Sequence, residues 1–282
     1  DPTYGAYFVA GEDGSSETLK TFSSATASTE MRAAGLTGTI AIQAGVGKVL
    51  STDTGPGNPP EGFHGLAQLA VAVDVFGAKT KPDDMEVQLV GKVVSRAFPS
   101  EDVFYILEPD RACGIKVVDA INAASVAPGD LVSVTGFIST NASGERYIEA
   151  STTEITGSIE PPVPAAMINR TLGGGDFHYN ATTGAGQKGV SGVAYGLNNV
   201  GLLVRTTGKV TAIGSDYFYV DDGSNLSDGS GHTGVRVANV PAATVSVGNH
   251  VGIVGISGLE GSDPSFRRVL RPADTADVET LD

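Results

Sequence analysis

The sequence predicts an all-β protein, and three observations carry that reading. Gly (38 residues), Val and Thr are abundant, while the Leu-Glu-Lys runs that build helices are scarce. Apolar residues alternate in short runs, as in Leu69, Val71, Val73 and Val75, which is the period of a strand. Four sequence blocks also occur twice in the same order. Gly91-Lys92-Val93, Phe104-Tyr105-Ile106, Gly114 to Val117 and Gly129 to Gly136 are answered by Gly208-Lys209-Val210, Phe218-Tyr219-Val220, Gly234 to Val237 and Gly248 to Gly255. The offsets are 117, 114, 120 and 119 residues, close enough to constant to define an internal repeat.

In chain order, residues 1–84 fall outside the repeat. Tyr4 to Val9 has the pattern of a strand. Thr29 to Ala34 predicts a short helix, with Ser28 or Thr29 as cap and Gly35 as stop. Thr39 to Ile42 and Val46 to Leu50 are strands, and Thr54 to Pro60 is a Gly/Pro loop. The region is a small β-rich domain or a set of strands that packs onto a barrel. The first repeat, residues 85–157, parses into strands near 86–95, 103–108, 113–118, 130–139 and 146–156, with helical character at Asp119 to Ser125. Residues 158–200 open with Pro161-Pro162-Val163-Pro164, which stiffens the backbone, and continue through Gly173-Gly174-Gly175 and Gly184-Ala185-Gly186. They make an extended linker that wraps over a neighbouring surface. The second repeat, residues 201–282, has strands near 202–213, 216–221, 233–238, 249–257 and 266–271. There Asn239 to Val245 contains Pro241 and makes only a turn. Five short strands broken between the third and fourth match the five-stranded Greek-key barrel of OB type. The Val-x-Val-x-Gly rhythm of the fourth strand suits a barrel wall.

The second repeat carries Leu202 to Val210, Phe218 to Ser224 and Val269-Leu270-Arg271-Pro272, preceded by Thr171 to Phe177. With these phrases the chain, over roughly residues 86–282, resembles secreted bacterial proteins with tandem OB-like domains. More loosely, it resembles subunits of glycosylated extracellular filaments from environmental bacteria. The resemblance implies secretion and a surface or fibre role, and it supplies no catalytic residues. The start at Asp1-Pro2, without an initiator Met, fits a mature chain whose leader was removed.

Charge narrows the partners. The formal net charge is −14, with 18 basic against 32 acidic residues, which disfavours nucleic acid and anionic membranes as partners. The most apolar stretch, Gly65 to Phe76, is too short and too polar to span a membrane. Cys113 is the only cysteine and sits in an apolar run, as a small buried hydrophobe would. His64, His178, His232 and His250 form no metal-ligand spacing, and no Gly-x-Ser-x-Gly occurs, so no enzyme is expected. Asp221, Asp222 and Asp228 lie within an Asp/Asn/Ser/Gly-rich stretch that suits either calcium or an ordinary turn. Phe104 and Tyr105, like Phe218 and Tyr219, should each set one ring inward and one outward on the barrel face that OB folds use for ligands. Asn141, Asn169, Asn180 and Asn225 each begin an Asn-x-Ser/Thr sequon and are candidate sites for covalent glycans.

These features lead to an extracellular structural subunit whose partners are copies of itself. Open barrels leave strand edges, and Tyr4, Ala6, Tyr7, Phe8 and Val9 supply a donor strand for a neighbouring copy. Head-to-tail donation does not close and so gives a filament. The alternative is a monomeric surface adhesin or carbohydrate-binding module, which needs exposed aromatics with convergent amides on one barrel face.

Overall fold

A computed structural model describes the backbone of residues 5–10, 17–22, 39–42, 49–52 and 71–72, and both backbone and side chains of residues 73–192, 194–240 and 245–281. The chain divides into two compact units, Asp1–Val71 and Ala72–Asp282. In the first, β1 (Gly5–Ala10) pairs antiparallel with β2 (Glu17–Phe22), and β3 (Thr39–Ile42) with β4 (Val49–Thr52). Each pair is a sheet of two strands. The expected helix at Thr29 to Ala34 and the loop at Thr54 to Pro60 lie outside the described residues.

The second unit begins at Ala72, within β5 (Val71–Ala72), ahead of position 85 where the sequence repeat starts. The alternation through Leu69 to Val75 does not continue as a strand. A helical turn, α1 (Val75–Lys79), starts at Val75 because the Asp74 carboxylate caps it, accepting the Gly77 N–H at 2.6 Å. Val75 and Ala78 then pack into the core of the first barrel.

That barrel consists of β6 (Glu86–Phe98), β7 (Val103–Leu107), β8 (Gly114–Val118), β9 (Asp130–Thr140) and β10 (Arg146–Ser158). The strand order is β6-β7-β8-β10-β9, and β9 pairs back onto β6 to close it. The β8–β10 pairing is parallel and the others are antiparallel. After β11 (Ala165–Ala166), the second barrel repeats the plan with β12 (Leu203–Ile213), β13 (Tyr217–Asp221), β14 (Val235–Ala238), β15 (His250–Ser262) and β16 (Ser265–Arg271). Its order β12-β13-β14-β16-β15 closes through β12–β15, again with one parallel pair, β14–β16. β17 (Val278–Thr280) lies on β15. Both barrels therefore have the OB arrangement.

Equivalent details recur. The first strand of each barrel bulges against the second, between Val94 and Arg96 and between Val210 and Ala212, where the wall must bend. Gly129 and Gly248, repeat partners at positive φ, donate their N–H to Val94 and Val210 of the first strands. Asp119 to Ser125 forms successive hydrogen-bonded turns rather than a helix. The Asp119 carboxylate satisfies the N–H groups of Ile121 and Asn122 and accepts the Thr153 hydroxyl at 2.6 Å.

The two barrels pack into one body. All five residues of β7 are buried, which explains its unbroken apolar run. Phe104 and Ile106 face the first barrel's interior, while Val103, Tyr105 and Leu107 join a cluster with Leu202, Phe218, Val220 and Leu270. Phe98 and Tyr105 meet edge-on at 5.8 Å, and Arg96 pairs with Asp277 at 2.8 Å. The linker binds both barrels of its own chain. β11 pairs with β12, Asn169 sits buried in the second barrel, and the Gln187 side chain accepts from Arg146 N and donates to Gly144 O.

Candidate functional site

The candidate sites are open strand edges, the sequons, the Asp-rich loop and the hollows on the barrel body. The segment expected to donate a strand forms β1, paired within its own chain with β2, with Gly5 opposite Phe22 and Ala10 opposite Glu17. Of the named positions, Ala6, Tyr7, Phe8 and Val9 lie within β1, and Tyr4 lies outside the described residues. β1 pairs with β2 alone, so its second edge has no strand beside it among the described residues. The barrels themselves are closed, contrary to the open edges expected of them, because each fourth strand returns to the first. One barrel edge does remain. β10 leaves β8 after Glu149, and from Thr152 to Ser158 it pairs with β9 alone. This stretch is exposed, with Ile155 at 47% and the following Ile159 at 50%. Bulges at both ends of Thr152–Ile155 shorten the regular part of the edge.

The sequons separate by burial. Asn169 is fully buried; its amide donates to Val220 O and its oxygen accepts from Thr206, so a glycan there would break the second barrel's packing. Asn225 is exposed but in the left-handed region, with its amide donating to Gly223 O. Asn141 and Asn180 use only their oxygens. Asn141 accepts from Ser143 N and Glu145 N, and the exposed Asn180 accepts from Thr182 N and Thr183 N.

The three calcium candidates are not brought together. Asp221 accepts from Asn225 N, Asp222 from Asn169 N and Ser224 N, and Asp228 from the Tyr219 hydroxyl and Ser230 N. Hydrogen bonds outweigh burial at Asp222 and Asp228 and hold both carboxyls below their ordinary range. These carboxylates satisfy loop N–H groups, the ordinary turn role, and no set of three metal-ligating side chains gathers among the described residues.

The inward–outward alternation of the paired rings holds, yet neither outward ring is an open platform. Phe104 and Phe218 point inward. Tyr105 is buried between the barrels, and Tyr219 is covered by its own β13–β14 loop, with the His232 ring 4.9 Å away. Tyr217 is partly open, with the Arg236 guanidinium 4.4 Å above it.

Hollows on the body are lined by described residues, and two of them matter here. One, of about 340 Å³, has Val190, Leu226 and Phe266 in its wall and Asp228 and Arg267 at its side. The other, of about 310 Å³, opens between the barrels. Glu145 of the first barrel lines it, 3% exposed. Its carboxylate accepts from the Tyr105 hydroxyl at 3.0 Å, with Lys116 Nζ at 3.9 Å from its second oxygen. Arg271 donates to Tyr105 Oη at 3.2 Å and pairs with Glu101, which also accepts from Asn239 at 3.0 Å. Arg236 pairs with Glu260 at the far wall. Burial, reinforced by Glu145, raises Tyr105 well above the usual phenol range, so it stays a neutral donor. Burial opposes the charge on Arg271, but Tyr105 and Glu101 outweigh it and the net shift is upward. Sequence reasoning missed this cleft, since its walls come from two repeats more than 100 residues apart. The only available signal was the density of charge around Glu145-Arg146 and Arg267 to Arg271.

Among the described residues no helix is long and apolar enough to cross a membrane. No family model and no curated protein matches the chain. Among solved structures, the p204 HINb domain is similar over 68% of this chain and 94% of its own, at 15% identity and a TM-score of 0.29, a likeness too low to carry an argument.

Proposed function

We propose that the chain is a non-enzymatic structural subunit of an extracellular filament or surface assembly, joined to further copies by strand addition and related to the secreted tandem OB proteins it resembles. The observation that carries this is the contrast between the two units. Residues 72–282 are closed barrels with large cores, while the described strands of residues 1–71 form two sheets of two strands each. A lone two-stranded ribbon is marginal in water and gains stability from a further strand. Strand addition supplies that: each added residue satisfies backbone groups and buries side chains against the neighbour. The open Thr152–Ser158 edge of β10, with exposed Ile155 beside it, is a fitting acceptor on the next copy. A donor and an acceptor at different places on one chain make a head-to-tail contact, which propagates.

The test is electron microscopy and light scattering of the secreted full-length protein beside a variant lacking residues 1–10. Filaments from the intact chain and soluble monomers from the variant are expected. Filaments of normal length from the shortened chain would refute strand donation by this segment. Ile155→Lys, which puts a charge on the acceptor edge, should shorten filaments while leaving the monomer's melting temperature within about 1–2 °C, since surface changes shift stability by roughly 0.5 kcal/mol or less.

A further inference from the structure

We propose that the cleft between the two barrels is a binding site for a neutral saccharide, one or two sugar rings in size. Three features of the cleft point there. The first is Glu145. A carboxylate 3% exposed in the body of a protein is costly, and an apolar side chain would serve barrel packing better. One of its oxygens is held by Tyr105, and the other has Lys116 at 3.9 Å, beyond hydrogen-bond distance. That second oxygen is an acceptor held in place at the wall of a cavity.

The second feature is charge balance. Glu101, Glu145 and Glu260 face Arg236 and Arg271 across about 310 Å³. Each acid has its basic partner, Glu145 with Lys116, Glu101 with Arg271 and Glu260 with Arg236, so the cleft has no spare positive charge for a phosphate or other anion. A hydroxyl group suits such a surface because it donates to a carboxylate and accepts from a guanidinium at once. Vicinal hydroxyls on a rigid ring can bridge these groups with little entropy lost.

The third feature is the rim. Asn141 and Asn239 place side-chain amides at the cleft, and Leu259 and Val269 give it an apolar wall. Amides and an apolar wall beside fixed charges complete the set of contacts a sugar uses.

Two sources supply such a ligand: a free glycan, or a glycan linked to Asn141 itself, which begins a sequon on the rim. The experiment separates them. The native secreted protein is weighed intact, and the chain is then titrated with methyl glucoside, methyl mannoside, methyl galactoside and N-acetylglucosamine while amide NMR shifts are followed. The titration is repeated on Asn141→Gln. Saturable shifts around Glu145 and Arg236 in the native protein assign the cleft to free sugar. Added mass at Asn141, with free-sugar binding appearing only in Asn141→Gln, assigns it to the linked glycan. In whichever protein binds, Glu145→Gln and Arg236→Met should each weaken binding at least tenfold with the fold intact by melting. Absence of saturable shifts in both proteins overturns the proposal, as does binding that survives both substitutions. The intact chain is used for weighing, and the titrations are made on its form lacking residues 1–10, which keeps both barrels and stays monomeric, so the readout is independent of filament formation.

Discussion

At the residue scale, buried polar groups decide local stability. Asp119 holds together the turns that close the bottom of the first barrel. Burial opposes its charge, but hydrogen bonds from Thr153 and Asn122 prevail and its carboxyl lies below the ordinary value. A depressed acid contributes stability that is present above its unfolded pKa and lost as pH falls through the folded pKa. Asp119→Ala should therefore cost about 1–3 kcal/mol near neutral pH, and the difference from wild type should shrink in acid; urea titrations at several pH values check this. Lys79 is the opposite case. It is 2% exposed, with Nζ donating to Val200 O, and burial lowers its pKa. A depressed base releases its proton more readily in the folded state, so its penalty is relieved as pH rises from the folded toward the unfolded pKa. Wild type should gain on Lys79→Met as conditions become alkaline, and a pH-independent difference would contradict a buried ammonium.

At the element scale, the repeat offers an internal control. Gly129 and Gly248 occupy equivalent places before the fourth strand, both at positive φ. A Cβ at Gly129 would meet Ile159 O at 2.4 Å, whereas one at Gly248 meets nothing within 4 Å. Gly248→Ala should cost about 1 kcal/mol, the strain of the left-handed backbone alone. Gly129→Ala must also move the Ile159 backbone and should cost clearly more in denaturant melts. Equal costs would mean that the linker start yields freely. The same scale separates the two kinds of edge. Barrel closure removes the first and fourth strands as templates, while the β1–β2 and β3–β4 ribbons and the outer half of β10 are described edges able to add a strand.

At the scale of the molecule, residues 72–282 form one compact unit with a shared core cluster. The main cluster draws Phe98, Tyr105 and Leu107 from one barrel and Phe218, Val220 and Leu270 from the other, and the linker is hydrogen-bonded to both. Chemical unfolding should show one transition, and Leu107→Ala should lower both barrels together by about 2–5 kcal/mol. Two resolved transitions, with only one moved by Leu107→Ala, would show that the barrels are independent.

The division of labour between sequence and tertiary structure follows from the range of the forces involved. Strand positions, the duplicated barrel and its turns are written in alternation, β-branched content and glycine placement, which act over a few residues. β6, β7, β9 and β12 to β16 accordingly begin within a residue or two of where the pattern puts them. The Val71–Val75 run misled because a single cap, Asp74, outweighs a period-two pattern. What lay beyond reach was every question of which surfaces meet. The unbroken apolar run Val103 to Leu107 is compatible with a wall buried on one side or on both, and only packing against the second barrel selects both. The burial of Asn169, the spending of Asp222 on the Asn169 N–H, and the charged cleft formed by Glu101, Glu145, Arg236 and Arg271 all depend on residues far apart in sequence. Local propensity specifies the barrels, whereas contact between them creates the cleft, because the energy of a surface depends on what lies opposite it.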